Sequence, residues 1–356
     1  MTRIGLIARA DNTGLGIQSW EFHRHLDPTK TLIVDLAGQS ASGKDLTIHP
    51  DRFPGDTTVV RGIPTDADLE AWLDGLDTVF TMETPYNYRL YSLARQRGIK
   101  TILQANWELL DYLQDGPHQE HLPDVLALPS TWFLPTARHQ FSDQMKVTYL
   151  PVPIPTDRWD ETSTHPDVCR RFLHVAGHPA LADRNGTNNL LDALRYVQEP
   201  ITVTMTCQRQ GYLGSLIKPG QDHGNATLAI DSAPRENYWD LYAGHDAMVL
   251  PRRYGGLCLP LNEALGAGMP VIMPNISPNS RWLPADWLAP ARVENTILTK
   301  TLIDVHYTDP QALAARMDQM AADPDLYAQG RQQARSLAQE YSWTTLFTHY
   351  QEVLSS

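Results

Sequence analysis

The chain has 356 residues, with 29 basic and 41 acidic side chains and a formal net charge of −12. This length favours two domains, because single domains commonly contain about 100 to 200 residues. The acidic balance argues against a surface that attracts nucleic-acid backbones over its whole extent, although a local basic cluster such as Arg184, Arg252 and Arg253 could hold phosphate. The three cysteines form no CxxC pair, which argues against a disulfide framework and a zinc site.

Nothing in the sequence indicates export or membrane insertion. No apolar run approaches the roughly 20 residues that a bilayer-spanning helix needs, and Met1 leads directly into a strand-like segment rather than a signal peptide. We therefore expect a cytoplasmic protein without stable membrane insertion. The sequence does not predict its oligomeric state.

Short apolar runs alternate with amphipathic stretches through the first half of the chain. Strands that alternate with helices predict a parallel sheet covered by helices on both faces. The predicted strands are residues 4–8, 31–36, 58–60, 78–82, 101–104 and 125–128. The predicted helices between them include residues 18–25, 66–76 and 86–97.

A proline-rich segment, residues 149–156, interrupts this alternation, and we interpret it as an interdomain linker because proline lacks a backbone donor and has a fixed φ angle. Beyond it the alternation restarts. The predicted strands there are residues 171–176, 201–206, 227–230, 247–250 and 271–273, and the predicted helices are residues 187–196, 236–242, 262–267, 309–322, 325–340 and 344–353.

These patterns predict an α/β protein with two Rossmann-like, doubly wound domains. We assign residues 1–155 to the N-terminal domain and residues 156–340 to the C-terminal domain. Residues 341–356 are expected to form a helix that crosses back to the N-terminal domain. Many different chemistries use this fold class, so its function must come from its motifs.

The most informative segment lies at residues 249–274, which read as strand, glycine loop, short helix, glycine turn and strand. Gly255 and Gly256 lead into a helix whose free N–H groups form a ready anion site, where a diphosphate could bind without a metal. Glu263 on this helix could accept hydrogen bonds from two neighbouring hydroxyls, such as those of a ribose. Alternatively, it only complements the helix dipole.

This segment resembles the C-terminal signature of the retaining GT-B glycosyltransferases of the glycosyl transferases group 1 (GT4) family. That signature reads approximately Glu-Gly-Phe-Gly-Leu-Pro-x-x-Glu-Ala, followed by a small-residue turn, Gly, x and Pro-Val-Ile. The resemblance implies two facing Rossmann-like domains with an interdomain cleft, a nucleoside-diphosphate sugar as donor substrate, and neither a cofactor nor a metal. It implies that Glu263 binds the ribose of the nucleotide. The first signature glutamate, which contacts the transferred sugar in the family, is replaced here by Gly255. The residues that would meet the donor are Gly255, Gly256, Leu257, Cys258 and Leu259.

A second motif supports this resemblance. Residues 174–186 look like the family's Gly-Arg loop with its Arg/Lys-Gly partner, whose cations neutralise the donor phosphates. Arg184 keeps a permanent charge suited to a diphosphate, and we place it with Glu263 in the catalytic site. His178 and Asn185 stand where the family usually has arginine and lysine, and the resemblance places both at the donor. Alternatively, Asn185-Gly186 is only a left-handed turn.

In the N-terminal half, Gly14 and Gly16 follow the first strand and open a helix. Glycines there allow close approach of a ligand, and the family's equivalent loop faces the donor phosphates and the acceptor. The alternative is an ordinary strand-to-helix turn. With Asp35 the two glycines also imitate a dinucleotide fingerprint, although Ser19 replaces its third glycine.

Two further groups of residues bear on acceptor and metal. Residues 83–88 and 106–108 follow predicted strands, so we expect their polar and aromatic side chains at the acceptor, unless Tyr86 and Trp107 simply pack on the domain. The Asp-x-Asp pairs at 66–68 and 323–325 resemble metal ligands. Both lie at predicted helix starts, where acids are expected as caps.

We therefore predict a metal-independent hexosyl or pentosyl transferase that acts on an acceptor hydroxyl. The acceptor is a saccharide or a hydroxymethylated pyrimidine in DNA. One alternative is a non-catalytic protein that binds a sugar nucleotide or glycan on the same fold. The other is a nicotinamide-dependent oxidoreductase, which only the Gly14, Gly16 and Asp35 pattern supports.

Overall fold

The computed structural model describes residues 2–39, 46–110, 120–159, 166–177, 181–233 and 235–355. The chain forms two compact units. Unit 1 comprises Met1–Val152, Thr299–Thr301 and Leu346–Ser356, and unit 2 comprises Pro153–Leu298 and Leu302–Thr345. The change of unit between Val152 and Pro153 falls within the proline-rich segment.

Unit 1 contains a parallel sheet of seven strands in the order β3-β2-β1-β4-β5-β6-β7. The strands are β1 (Ile4–Ala8), β2 (Lys30–Asp35), β3 (Thr57–Arg61), β4 (Thr78–Met82), β5 (Lys100–Gln104), β6 (Val125–Leu128) and β7 (Lys146–Tyr149). Strands β4 and β6 are buried along their whole length, because helices cover both faces. The winding direction reverses between β1 and β4, which confirms the predicted doubly wound arrangement.

The helices of the N-terminal half are α1 (Gly14–Leu26), α2 (Asp66–Leu73), α3 (Arg89–Arg95) and α4 (Leu134–Phe141). The helix predicted over residues 86–97 begins only at Arg89. Glu83 (φ 59°) and Tyr86 (φ 63°) adopt left-handed backbone, which an α-helix does not accommodate. Helix α4 was not predicted.

Unit 2 contains a parallel sheet of six strands in the order β10-β9-β8-β11-β12-β13. The strands are β8 (Arg171–Gly177), β9 (Ile201–Cys207), β10 (Ala226–Ile230), β11 (Ala247–Val249), β12 (Val271–Pro274) and β13 (Leu288–Ala289). Its helices are α5 (Thr187–Leu194), α6 (Tyr212–Leu216), α7 (Leu259–Gly266), α8 (Pro310–Ala322) and α9 (Pro324–Glu340). The helix predicted over residues 236–242 is only a short 3-10 turn, Tyr238–Leu241, and Gly244 (φ 79°) then turns the chain into β11.

An antiparallel hairpin in unit 2, β14 (Ala291–Leu298) with β15 (Leu302–Thr308), was not predicted. Most residues of β14 are exposed, so it shows little of the apolar alternation from which strands are recognised. Its strands pair with each other, as a separate sheet of two strands.

The last helix, α10 (Trp343–Ser355), ends within unit 1. There Tyr350 is fully buried, its hydroxyl donates to the Pro151 carbonyl at 2.9 Å, and its ring centroid lies 5.5 Å from that of Phe22. Among the described residues, none of the helices combines the length and apolar character needed to cross a lipid bilayer.

The two Asp-x-Asp pairs act as helix caps, as predicted. Asp68 forms a capping box with Thr65 at the start of α2. Asp323 accepts hydrogen bonds from the amides of Asp325 and Leu326, both at 3.0 Å, at the start of α9. Their carboxylates therefore serve local helix structure.

Candidate active site

The winding of the second sheet reverses between β8 and β11. The connection from β8 runs to β9 on one side, and that from β11 runs to β12 on the other. In open α/β sheets, such a reversal leaves a crevice at the carboxyl ends of the strands, where ligands bind. Two loops meet there: residues 181–186, which follow β8 (the β8 loop), and residues 250–258, which follow β11 (the β11 loop). A hydrogen bond from the Arg253 amide to the Arg184 carbonyl, 2.8 Å long, joins the two loops.

Gly186 makes this close approach of the loops possible. Its φ of 71° is left-handed, and a β-carbon there would lie 2.0 Å from the Pro251 carbonyl oxygen. Only glycine fits here, because any other amino acid would be strained at this φ angle and its β-carbon would clash with the Pro251 carbonyl. Gly186 is therefore a packing requirement of the site.

Asn185 holds the β8 loop in shape. Its amide nitrogen donates to the carbonyls of Val175 (3.2 Å) and Ala176 (3.0 Å), and its amide oxygen accepts from Arg252 at 3.3 Å. The side chain thus supports the loops, and its contact with a donor stays a prediction. His178, the other uncharged substitution in this motif, lies outside the described residues.

Arg184 is partly buried beside the β11 loop. Its guanidinium lies over the Tyr254 ring, 5.5 Å from the ring centroid. It also faces Gly255, where a β-carbon would lie 2.7 Å from its Nη2 atom and 3.1 Å from its Nε atom. Arg184 therefore brings a permanent positive charge to the loop that leads into α7.

The neighbouring arginines, Arg252 and Arg253, fasten the loops. Arg252 is buried and donates to the carbonyls of Tyr254 (3.1 Å) and Leu257 (2.6 Å) as well as to Asn185. Arg253 donates to the carbonyls of Ala182 and His306, each at 2.8 Å, and pairs with Glu294. The sequence suggested that a cluster with these two arginines could hold phosphate, whereas the contacts described here join the loops to their surroundings.

The N-termini of α5 and α7 differ in what occupies them. At α5, the Asp183 carboxylate accepts from the amides of Thr187 (3.0 Å) and Asn188 (2.8 Å), and burial raises the pKa of Asp183. At α7, the first turn carries no acidic residue, and among the described residues the Cys258 side chain accepts no hydrogen bond from the helix amides. Pro260 has no N–H, and the amides of Leu261 and Asn262 donate to the Cys258 carbonyl, so the amides of Cys258 and Leu259 are the ones at the start of α7 to which an anion could bind.

Glu263 lies on α7 and is partly buried. The hydroxyl of Tyr242, a buried residue, donates a hydrogen bond to its Oε2 atom. The Trp159 ring packs at right angles to the Tyr242 ring, with the centroids 6.0 Å apart, and a β-carbon at Gly266 would lie 2.5 Å from the Trp159 ring. Trp159 and Tyr242 thus fix the Glu263 carboxylate from one side.

His174 braces the loops from within the sheet. Its Nδ1 atom lies 3.0 Å from the Val249 carbonyl, which can only accept, so Nδ1 carries the proton. In the neutral ring Nε2 then accepts from the Thr187 hydroxyl, also 3.0 Å away. Complete burial lowers the pKa of His174 to about 4, so the neutral form prevails at physiological pH.

The structure therefore brings most of the predicted donor residues to one edge of the second sheet. They are Arg184, Asn185, Gly255, Gly256, Leu257, Cys258, Leu259 and Glu263. The sequence did not identify Tyr242, His174 or Asp183 as contributors. Of the three, only Asp183 could have been recognised from the sequence, because acidic residues near the start of a predicted helix often bind its first amides.

Gly14 and Gly16 belong to unit 1, whereas this group belongs to unit 2. Gly14 is the exposed first residue of α1, and a β-carbon at Gly16 would lie 2.0 Å from the Asp11 carbonyl oxygen. The neighbouring backbone therefore already requires a glycine at position 16, without any contact to a ligand. Asp35, the ribose ligand of the dinucleotide hypothesis, accepts from the Ala37 amide at 2.8 Å and shapes its own turn.

Unit 1 has its own reversal point, between β1 and β4. Arg9 and Asp11, both buried, form an ion pair after β1. The Tyr86 hydroxyl lies near Arg9, Asp11 and Glu83, and burial raises its pKa. Left-handed backbone at two non-glycine residues, Glu83 and Tyr86, is uncommon and concentrates at functional sites. The sequence indicated Glu83 and Tyr86 here but not the ion pair.

The other predicted acceptor segment is partly structural. Trp107 stacks on Phe133 with ring centroids 4.8 Å apart, as expected for an aromatic side chain that packs on its own domain. Asn106 and Glu108 are buried. The contribution of these residues to an acceptor stays a prediction.

Comparison with known proteins bears on this site. Residues 181–337 match the model of the family Glycosyl transferases group 1. The matched segment includes the signature around Glu263 and agrees with the resemblance seen there in the sequence. A comparison with proteins of curated function gives no sequence match.

Solved structures show the same fold. The chain is similar to sucrose-phosphate synthase from Thermosynechococcus elongatus (TM-score 0.63, 13% identity, 99% of this chain and 98% of that chain) and to a UDP-forming alpha, alpha-trehalose-phosphate synthase from Burkholderia xenovorans (0.62, 10%, 99% and 99%). It is also similar to a mutant of S. aureus TarM in complex with Fondaparinux, alpha-GlcNAc-glycerol and UDP (0.59, 11%). That alignment covers 82% of this chain but only 59% of TarM. At these identities the similarity shows the fold, which is GT-B.

Proposed function

We propose that the protein transfers a glycosyl group from a nucleoside-diphosphate sugar to a hydroxyl group of an acceptor. The observation that carries the proposal is the convergence of Arg184, the open N-terminus of α7 and the oriented carboxylate of Glu263 at one sheet edge. The match of residues 181–337 to the model of the family Glycosyl transferases group 1 supports the same reaction class.

The order of these groups along the chain matches the order of groups in such a donor. Glu263 would accept hydrogen bonds from the ribose hydroxyls. One turn earlier, the amides around Cys258 and Leu259 would meet the diphosphate, and Arg184 would neutralise it. The diphosphate departs as an anion, so fixed donors and a permanent charge at this position lower the barrier to departure.

We propose uridine as the base and a saccharide as the acceptor. The solved structures of S. aureus TarM and of the pneumococcal O-GlcNAc transferase GtfA, both similar to this chain, are complexes with UDP. The TarM complex also holds alpha-GlcNAc-glycerol. A hydroxymethylated pyrimidine in DNA is the second acceptor class. Retention of configuration, metal independence and a cytoplasmic location belong to the same proposal.

A second function is favoured by one observation. Gly255 offers no carboxylate at the first position of the signature, and two guanidinium groups border it instead. A protein that binds the sugar nucleotide without turnover fits this arrangement. Both functions include binding of the donor, so only a test of glycosyl transfer distinguishes them.

The donor site is tested by isothermal titration of the purified protein with UDP, GDP, ADP and NAD. We expect one nucleoside diphosphate to bind, and both Glu263→Ala and Arg184→Ala to weaken it at least about tenfold, the loss of one charge-assisted contact. Exposed residues supply matched controls, Glu340→Ala and Arg195→Ala, which should keep wild-type affinity. Binding of NAD alone would support the oxidoreductase instead.

Transfer is tested separately by mass spectrometry of reactions that contain the preferred sugar nucleotide with saccharide or hydroxymethylcytosine-DNA acceptors. A mass increase of one sugar on an acceptor supports the transferase. Tight donor binding with neither transfer nor donor hydrolysis supports the non-catalytic protein.

A further inference from the structure

Three aromatic side chains cluster at the carboxyl edge of the first sheet. The Phe133 ring stacks on the Trp107 ring, with the planes 20° from parallel, and the Trp132 ring lies 5.1 Å from the Phe133 ring at an angle of 54°. Trp107 follows β5, whereas Trp132 and Phe133 follow the neighbouring strand β6. Ligands of open α/β sheets bind at the carboxyl ends of the strands. These three side chains, the aromatic platform, thus lie on the binding edge of unit 1.

The local backbone does not explain why residue 133 is a phenylalanine. Phe133 is the N-cap of α4, where a phenyl ring offers the helix amides no acceptor, and its φ of 56° is left-handed. Caps are ordinarily Ser, Thr, Asp or Asn, and left-handed backbone is unfavourable for a bulky side chain. Even with two tryptophans against it, 38% of Phe133 stays exposed. A strained residue that keeps an aromatic ring in solvent indicates a role in binding.

The size of the aromatic platform favours a small ligand. None of the three residues exposes more than 38% of its surface, so with about 150 to 250 Å² for each aromatic side chain they offer at most about 300 Å² together. A stable protein partner covers about 800 Å² on each side. One or two sugar rings match the smaller area.

The charge of the surrounding chain argues against a nucleic acid. Residues 101–137, which include the ends of β5 and β6, contain no lysine or arginine. Lys300 comes near, because its amide donates to the Glu108 carbonyl at 3.3 Å. Single-stranded nucleic acids bind where stacking rings line a positively charged groove. One neighbouring lysine does not make such a groove, so the stacked ligand is an uncharged one.

A sugar ring matches the chemistry of the aromatic platform. The face of an aromatic ring carries negative charge density, and the C–H bonds on one face of a pyranose present positive charge to it. In the part of the chain that the structure describes, the indole N–H groups of Trp107 and Trp132 have no hydrogen-bond partner, so they can donate to sugar hydroxyls. We propose that Trp107, Trp132 and Phe133 bind a pyranose ring of a saccharide acceptor by stacking. This inference rests on the proposed function.

Saturation-transfer difference NMR tests the stacking directly, because irradiation of the protein's aromatic protons marks the sugar protons that touch aromatic rings. The probes are cellohexaose, maltohexaose and chitohexaose, each mixed with the full-length protein and UDP. They share pyranose faces and differ in linkage and N-acetylation. We expect transfer to the ring C–H protons of at least one hexasaccharide, whose Kd is then measured by isothermal titration.

Variants assign the contact to the aromatic platform. Phe133→Ala should raise the Kd of that hexasaccharide at least about threefold, the loss of one aromatic contact, whereas Phe133→Tyr should stay within about twofold of the wild type. Phe133→Gly also removes the ring but suits the left-handed φ, so it separates loss of the ring from backbone strain. Phe347→Ala is the matched control, because Phe347 on α10 is 36% exposed, and it should keep the wild-type Kd.

Transfer to none of the three hexasaccharides, in protein that binds UDP, overturns the inference and leaves the proposed function intact. An unchanged Kd in folded Phe133→Ala and Phe133→Gly also overturns it. Transfer only to the bases of a hydroxymethylcytosine oligonucleotide, lost in Phe133→Ala, would overturn it in favour of a nucleic acid. If hexasaccharides bind but no nucleoside diphosphate does, the proposed function falls, and the aromatic platform belongs to a glycan-binding protein instead of an acceptor site.

Discussion

Tyr242 donates its phenolic hydrogen bond to the carboxylate of Glu263, 21 residues further along the chain. Burial and the adjacent Glu263 raise the pKa of Tyr242 well above its ordinary value, so the phenol keeps its proton in any buffer the protein tolerates. The bond holds the Oε2 atom of the carboxylate in a fixed direction. Glu263 is therefore oriented before a donor arrives.

Removing the hydroxyl in Tyr242→Phe tests this orientation. We expect UDP affinity to fall about three- to tenfold, because the carboxylate loses its fixed position, while the free energy of unfolding changes by only about 1 kcal/mol. Isothermal titration and urea unfolding measure the two effects. Tyr196→Phe, at the far end of α5, should alter neither. Unchanged UDP affinity in Tyr242→Phe would mean that Glu263 needs no support.

Gly186 and Gly211 form a matched pair for testing the contact between the loops. Each is the N-cap of a helix and has a left-handed φ, 71° and 76° respectively. At Gly186 a β-carbon would meet the Pro251 carbonyl oxygen at 2.0 Å, whereas at Gly211 no described atom lies within 4 Å. Alanine at Gly211 should cost about 1 kcal/mol of backbone strain.

Alanine at Gly186 should cost at least about 2 kcal/mol more than alanine at Gly211, because the β11 loop must also move. It should weaken UDP binding as well. Urea unfolding and titration with UDP provide both values. Similar unfolding free energies for the two variants would show that the loops do not constrain each other.

Stability should fall as the pH is lowered from 6.5 to 4 because of His174. Above pH 6.5 the imidazole is neutral in both the folded and the unfolded chain. Between the ordinary pKa near 6.5 and the folded pKa of about 4, the unfolded chain binds a proton that the folded protein does not. The free energy of unfolding therefore decreases across this window, by about 3 kcal/mol from this residue.

The variant His174→Gln should show a shallower dependence of stability on pH in this window, although it is less stable at pH 7. Denaturant unfolding at a series of pH values measures the slope. Replacement of the exposed His139 by glutamine should leave the wild-type slope unchanged. An equal slope in His174→Gln and the wild type would assign the acid sensitivity to other groups.

Restoring the first signature carboxylate with Gly255→Glu should not produce a better enzyme. The β-carbon would be added 2.6 Å from Arg252 Nη2 and 2.7 Å from Arg184 Nη2, at a φ of 111° that side chains rarely adopt. We expect a loss of about 2–3 kcal/mol in stability and weaker UDP binding. The control Gly220→Glu, at a left-handed glycine without described neighbours within 4 Å, should cost less. A more active, equally stable Gly255→Glu protein would contradict the packing described here.

The sequence predicted the doubly wound sheets because their strands are short apolar runs separated by amphipathic helices, a local signal. The signature around Glu263 likewise predicted a glycine loop followed by a short helix, since its glycines and helix start are contiguous. The hairpin β14–β15 was missed because most residues of β14 are exposed. The length of the Tyr238–Leu241 turn was overestimated because its aromatic residues imitate a helical stripe, although Tyr238 packs on Trp159.

The sequence also did not reveal which side chains of the site form hydrogen bonds within the protein. Arg252, Arg253 and Asn185 have the residue types of phosphate ligands, but their partners are carbonyl groups and side chains of the protein itself. Some of these partners are distant in sequence, such as Asn185 for Arg252 and His306 for Arg253. Tyr242 and His174 act through contacts that only the folded sheet creates.

The N-termini of α5 and α7 differ in what they leave for an anion. At α5, Asp183 places the protein's own carboxylate on the first helix amides. At α7, the first turn holds no acidic residue. A phosphate group would therefore be repelled at α5 and attracted at α7, so the protein's own sequence limits where at these two loops a diphosphate can bind.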